Sequence, residues 1–85
     1  MTIWKYVLVI DDVQYIEMPM GAKLLDVQMQ NGNPCLWVLV NPNAERESRA
    51  IYMRGTGHNA NHVKDLTYVA TFQMHNGELI FHVFV

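Results

Sequence analysis

The sequence predicts an all-β domain: a small antiparallel sandwich or partly open barrel of about seven short strands, hairpin-connected. Three observations carry this. β-Branched and aromatic residues dominate, and turn signals recur about every 8–12 residues. No stretch sustains helical periodicity beyond one possible turn. Asn-Gly stands twice between apolar runs, at Asn31-Gly32 and Asn76-Gly77. Both residues tolerate the positive φ of a type I′ turn, which makes the dipeptide the strongest short-range hairpin signal.

The first strand runs from Ile3 to Ile10, and Asp11-Asp12 turns the chain into a second over Val13–Met18. Pro19 ends that strand because proline cannot donate to a ladder, and Gly21 permits the bend. A third strand covers Lys23–Gln30 and a fourth Cys35–Val40, joined at Asn31-Gly32. Asn41-Pro42-Asn43 opens a polar loop, with one helical turn possible over Ala44–Glu47. A fifth strand spans Arg49–Arg54, and Gly55 to Leu66 is a long loop rich in Gly, Asn and His. A sixth strand, Thr67–His75, meets a seventh, Glu78–Val85, across Asn76-Gly77.

Alternation assigns faces to these strands. In the third, Leu25, Val27 and Met29 oppose Asp26, Gln28 and Gln30. In the sixth, Tyr68, Ala70, Phe72 and Met74 oppose Thr67, Thr71, Gln73 and His75. The first, fourth and seventh strands are apolar on both faces, yet a small sandwich has only one inside. A second cover is therefore expected, in the form of another subunit. Length argues the same way. A chain of 85 residues makes one domain with a marginal core, and such domains lean on disulfides, metals or oligomerisation. The single cysteine, Cys35, rules out an internal disulfide and points to a reducing cytoplasm. No Cys/His set has zinc spacing. A homo-oligomer is the expectation that remains.

A net charge of −2 supplies no field for duplex nucleic acid. No segment approaches the roughly 20 apolar residues of a membrane helix, and no signal peptide is apparent. Charge is unevenly spread: Arg46, Arg49, Arg54 and Lys64 stand against only Glu47 between positions 46 and 64.

The segment with the most chemistry is Arg54-Gly55-Thr56-Gly57-His58, leading on to His62 and Lys64. Glycines let backbone N–H groups approach an anion and form a nest, and a threonine hydroxyl adds a donor. Arg49, Arg54 and Lys64 can give charge-assisted bonds to phosphate, and Tyr52, on the same strand face as Arg54, can stack on a base. The candidate ligand-binding residues are thus Arg49, Tyr52, Arg54, Thr56, His58 and Lys64. An exposed loop without a ligand is the plain alternative, since the spacing is not that of a P-loop. His58 and His62 lack further metal ligands. His82, inside an apolar strand, reads as a core or interface histidine with a backbone partner. Cys35 reads as a buried, inert thiol, and Thr56 with His58 has no orienting acid. No catalytic residue, metal or cofactor is expected.

Several segments resemble a family of short proteins of tailed phages and prophages. They are Thr2-Ile3-Trp4-Lys5-Tyr6, Ile16-Glu17-Met18-Pro19-Met20-Gly21-Ala22, Val27-Gln28-Met29-Gln30-Asn31-Gly32, Trp37-Val38-Leu39-Val40, Gly55-Thr56-Gly57-His58, Tyr68-Val69-Ala70-Thr71-Phe72-Gln73 and Phe81-His82-Val83-Phe84. That family is described as a domain of unknown function, so the resemblance implies an origin and no catalytic residue. It implies a phage accessory protein in the host cytoplasm. Joined to the candidate residues, it leads to a homo-oligomer that sequesters a cyclic nucleotide or cyclic ADP-ribose type of immune signal. The alternative is an interaction module that inhibits or adapts a host or phage protein.

Overall fold

The computed structural model describes residues 1–85. Seven strands form in chain order: β1 (Thr2–Val7), β2 (Val13–Pro19), β3 (Lys23–Gln30), β4 (Asn33–Val40), β5 (Arg46–Gly55), β6 (Tyr68–Met74) and β7 (Leu79–Phe84). They make two antiparallel sheets, a three-stranded one in the order β1-β4-β3 and a four-stranded one in the order β2-β5-β7-β6. The all-β expectation is met. Edge strands β3 and β6 lie against one another, but no ladder joins them and no barrel closes. The result is a slab 16 Å through its Cα atoms at the thinnest, as two face-packed sheets about 10 Å apart require.

Between the sheets sits a core of small and medium apolar side chains. Met18, Leu36, Val38, Val40, Ile51 and Val83 are fully enclosed, and Trp4, Tyr6, Leu24, Met29 and Phe81 pack around them. Alternation produces this directly: Leu36, Val38 and Val40 are every second residue of β4, and Ile51 and Met53 of β5. Burying each such side chain contributes about 1.5–3 kcal/mol.

Asn31 (φ 52°) and Gly32 (φ 83°) form the expected two-residue turn, with Gln30 paired to Asn33. The second Asn-Gly behaves differently. Met74 pairs with Leu79, so the loop holds four residues, and His75, Asn76 and Gly77 all take positive φ. These are the two hairpins. The Asp11-Asp12 turn is not a third: β1 pairs with β4 and β2 with β5, so the link crosses between sheets. Gln14 stabilises that crossing. Its Oε1 accepts from the Val9 N–H at 3.0 Å while its Nε2 donates to the Val9 carbonyl at 2.8 Å. The first strand accordingly stops at Val7. No helical turn forms at Ala44–Glu47, because Arg46 and Glu47 already pair with Pro19 and Met18.

Two β-bulges correct the assigned faces. The register of β3 shifts between Leu24 and Asp26, and that of β6 between Tyr68 and Ala70. One extra residue reverses the alternation beyond it. Leu24 therefore joins Val27 on the core side while Leu25 is 41% exposed, and Tyr68 is 57% exposed instead of sharing the inner face with Ala70 and Phe72. The Asp26 carboxylate holds the first bulge by accepting from the Val27 N–H and from Gln28 Nε2.

Both outer faces retain apolar side chains, as expected of strands apolar on two sides. Ile3 and Val7 are exposed on the three-stranded sheet, beside half-buried Trp37 and Leu39.

Candidate functional site

The four-stranded sheet turns an ordered set of side chains outward. Ile51, Met53 and Val83 point into the core, so Tyr52 and Arg54 of β5 and His82 and Phe84 of β7 point out. The register sets them in rows. Tyr52 stands opposite Phe84, which stands opposite Tyr68; in the next row Arg54 stands opposite His82, which stands opposite Thr71. Tyr68 and Phe84 meet edge to face, with ring centroids 5.9 Å apart and planes at 69°, the arrangement that aromatic quadrupoles favour. Tyr15, 69% exposed, lies on the same face of edge strand β2. It pairs with Ala50, two residues from Tyr52.

A chain of hydrogen bonds runs along the polar row. Tyr68 Oη lies 2.9 Å from Thr71 Oγ1, Thr71 Oγ1 lies 2.9 Å from His82 Nδ1, and His82 Nε2 lies 2.7 Å from Thr56 Oγ1. Of the reading of His82 as a core or interface histidine with a backbone partner, this corrects the core placement and the backbone partner. Its ring is half-buried on the outer face, and both nitrogens are held by hydroxyls.

Thr56 reaches His82 because its segment is a continuation of β5. The Thr56 N–H donates to the Ile80 carbonyl at 3.0 Å, keeping the chain beside β7. The His58 N–H then donates to the Gly55 carbonyl at 3.0 Å, closing a turn whose third residue, Gly57, has φ 88°. That conformation favours glycine. Because two of the three successive N–H groups are spent inside the protein, the segment is not the anion nest the sequence suggests. The His58 ring lies over Gly55, where a Cβ would sit 2.8 Å from it. Shallow concavities of about 320 and 280 Å³ adjoin here, sharing Gly55, His58 and Phe81.

Of the six candidate residues, the structure brings Tyr52, Arg54 and Thr56 together on one face, whereas His58 lies on the other side of β5, over the inward side of Gly55 and beside Met53 and Phe81. Arg54 is partly committed, since its Nη1 donates to the Asp12 and Met53 carbonyls at 2.7 and 2.8 Å. Arg49 lies apart. An odd spacing from Arg54 puts it on the opposite side of β5, where its Nη1 donates to the Ala22 carbonyl at 3.1 Å and its Nε lies 3.8 Å from Glu47. It lines a different concavity, of about 460 Å³, between the bulged ends of β3 and β6. Lys64 is exposed in the loop after the turn. That loop is anchored, because Val63 is 1% exposed and is held by turns from Ala60 and to Leu66. The candidate set did not include Phe84, Tyr68, Thr71 or His82. The even spacing of His82 and Phe84 was a usable signal, whereas Tyr68 was hidden by the bulge.

No group of three or more His, Cys, Asp or Glu side chains gathers to hold a metal. No helix is long and apolar enough to cross a membrane. Fold and face together define a small two-sheet β protein that presents an aromatic and hydroxyl-rich surface on its larger sheet. The chain belongs to the family described as a domain of unknown function (DUF7352), which matches residues 1–85. Among curated proteins and solved structures nothing matches it.

Proposed function

We propose that this protein is a non-catalytic binding module for a phosphorylated, nucleotide-like small molecule, and that the outer face of the four-stranded sheet is its binding surface. One observation carries the reading: the aromatic row Tyr52–Phe84–Tyr68 runs directly beside the row Arg54–His82–Thr71. An outward aromatic row, with Tyr68 exposed and Tyr52 and Phe84 half-buried, offers a flat ring a stacking partner, at about 1–3 kcal/mol per base. The neighbouring guanidinium and hydroxyls offer a phosphate charge-assisted and neutral donors. With a net charge of −2, the protein has little attraction for a polyanion, which favours a small ligand over a nucleic acid strand.

The resemblance to short phage and prophage proteins gives this module a context. A phage accessory protein of this kind, acting in the host cytoplasm, would sequester a cyclic nucleotide or cyclic ADP-ribose type of immune signal. Isothermal titration against cyclic mononucleotides, cyclic dinucleotides and cyclic ADP-ribose isomers tests it. Saturable heat with at least one, lost on Tyr52→Ala or Phe84→Ala, is expected; a folded protein silent across the panel ends the proposal.

A second reading rests on the other sheet. Exposed Ile3 and Val7 beside Trp37 and Leu39 suit a protein surface, either a second copy or a host or phage protein. Light scattering distinguishes an oligomer from a monomer. Substituting Ile3 and Val7 with Ser is expected to dissociate any complex built on that face.

A further inference from the structure

The chain Tyr68–Thr71–His82–Thr56 has a property that the aromatic row lacks, which is direction. A neutral imidazole carries one N–H and one acceptor nitrogen, and each hydroxyl both donates and accepts. Four such groups in series can therefore be ordered in two ways. In one, Tyr68 donates to Thr71, Thr71 to His82 Nδ1, and His82 Nε2–H to Thr56, so the Thr56 O–H is left to donate outward. In the other every bond is reversed, Thr56 donates inward, and the Tyr68 O–H is left over.

We infer that this chain reads a nucleotide at both ends at once, taking a phosphate oxygen at Thr56 and an N–H of the base at Tyr68. This rests on the sheet face being a nucleotide surface, and it adds which base can be held. A phosphate oxygen beside Arg54 only accepts, so it selects the order in which Thr56 donates outward. That order consumes the Tyr68 proton inside the chain and leaves the Tyr68 oxygen as an acceptor. The group lying against Tyr68 must then be a donor, such as an exocyclic amino or ring N–H of a base stacked on Phe84 and Tyr52. The two ends are thus coupled through three hydrogen bonds of 2.9, 2.9 and 2.7 Å, with no backbone movement. Thr71 is a positioning residue: it touches neither end of the ligand but transmits the order between them.

The test compares AMP with etheno-AMP, which has the same phosphate and a stacking ring but no N–H on its base. Titrations use wild type, Thr71→Val and Tyr52→Ala, and the tautomer of His82 is followed by nitrogen NMR of histidine-labelled protein. AMP is expected to bind roughly tenfold tighter than etheno-AMP, the worth of one hydrogen bond. Saturation should settle His82 in its Nε2–H form, and Thr71→Val should erase the preference by weakening AMP alone. Equal binding of the two nucleotides, or a preference that survives Thr71→Val, overturns the inference while leaving the stacking surface in place. Absence of binding by both nucleotides overturns the inference and counts against the surface as well. Loss of both on Tyr52→Ala, with the His82 tautomer unmoved by AMP in wild type, keeps the surface and removes the coupling.

Discussion

Thr56 Oγ1 and His82 Nε2 lie 2.7 Å apart, joining the turn after β5 to the middle of β7. The contact is possible because the Thr56 N–H also bonds Ile80, extending the strand pairing beyond Gly55. One residue thus holds the end of the β5–β7 pairing with its backbone and the imidazole with its side chain. The imidazole's other nitrogen is held from β6 by Thr71, so the ring is fixed from both neighbouring segments.

Removing these hydroxyls has a modest expected cost. Thr56→Val keeps the side-chain volume and deletes one hydrogen bond to a ring that water can partly reach, so about 0.5–1 kcal/mol of stability is lost. Thr71→Val deletes two bonds but gains strand propensity from valine, and its loss is expected to be similar. The loss in the double variant should depart from the sum, because both hydroxyls hold the same ring and each changes what the other restrains. Chemical denaturation of the four proteins measures this, and strict additivity would contradict a shared network.

Gly32→Ala tests the tight hairpin. Nothing lies within 4 Å of the position a Cβ would occupy, so no contact can be blamed for the result. The cost is conformational alone: a left-handed backbone at φ 83° costs an L-residue with a side chain roughly 1–2 kcal/mol. A fall of the corresponding size in the denaturation midpoint is expected, with an unchanged slope. A neutral outcome would mean the turn relaxes to another type.

This turn was legible in the sequence because its chemistry is local; Asn31 and Gly32 need no partner to declare a positive φ. The shared face of Tyr52 and Arg54 was legible for the same reason, as alternation is a property of one strand. By contrast, β4 is apolar on both faces, and only the packed sheets show Leu36, Val38 and Val40 as its inward set. What stayed hidden depends on the neighbouring strand. A bulge is defined by a partner that lacks the matching residue, so Leu25 and Tyr68 carried no mark of their reversed faces. His82 needed the register of β6 and β7 before Thr71 could be seen beside it. The grouping of Arg49 with Arg54 is a different matter. Their spacing of five on one strand places them on opposite faces, a distinction the sequence itself contained.

Gly55→Ala is expected to act on one side chain. The added Cβ would meet the His58 imidazole at 2.8 Å; because that ring ends a rotatable side chain, it can swing off the strand. Stability should therefore change by under about 1 kcal/mol, while the His58 ring resonances move markedly. His58→Ala on the Gly55→Ala background should bring no further loss. A large destabilisation, comparable to a core cavity, would show instead that the His58 ring is locked in place.

Val63 poses the last question, whether the segment between β5 and β6 holds its shape independently of the core. Its side chain is 1% exposed, yet it lies outside the main cluster of buried residues that includes Val38 and Val83. The residues around it, His62, Lys64 and Asp65, are all exposed, so one apolar side chain pins a polar loop. Val63→Ala removes two methyl groups from that contact, at about 0.8 kcal/mol each. Because few other contacts hold the loop, the loss should appear as local opening rather than global unfolding. Amide exchange should quicken at Val63 and Leu66, whose N–H groups donate to the Ala60 and Val63 carbonyls, while the amides of β4 keep their rates. Val38→Ala should do the reverse, lowering global stability and speeding exchange throughout. If Val63→Ala also accelerates β4, the loop folds as one unit with the sheets, and Thr56 is then positioned by the whole domain instead of by its own turn.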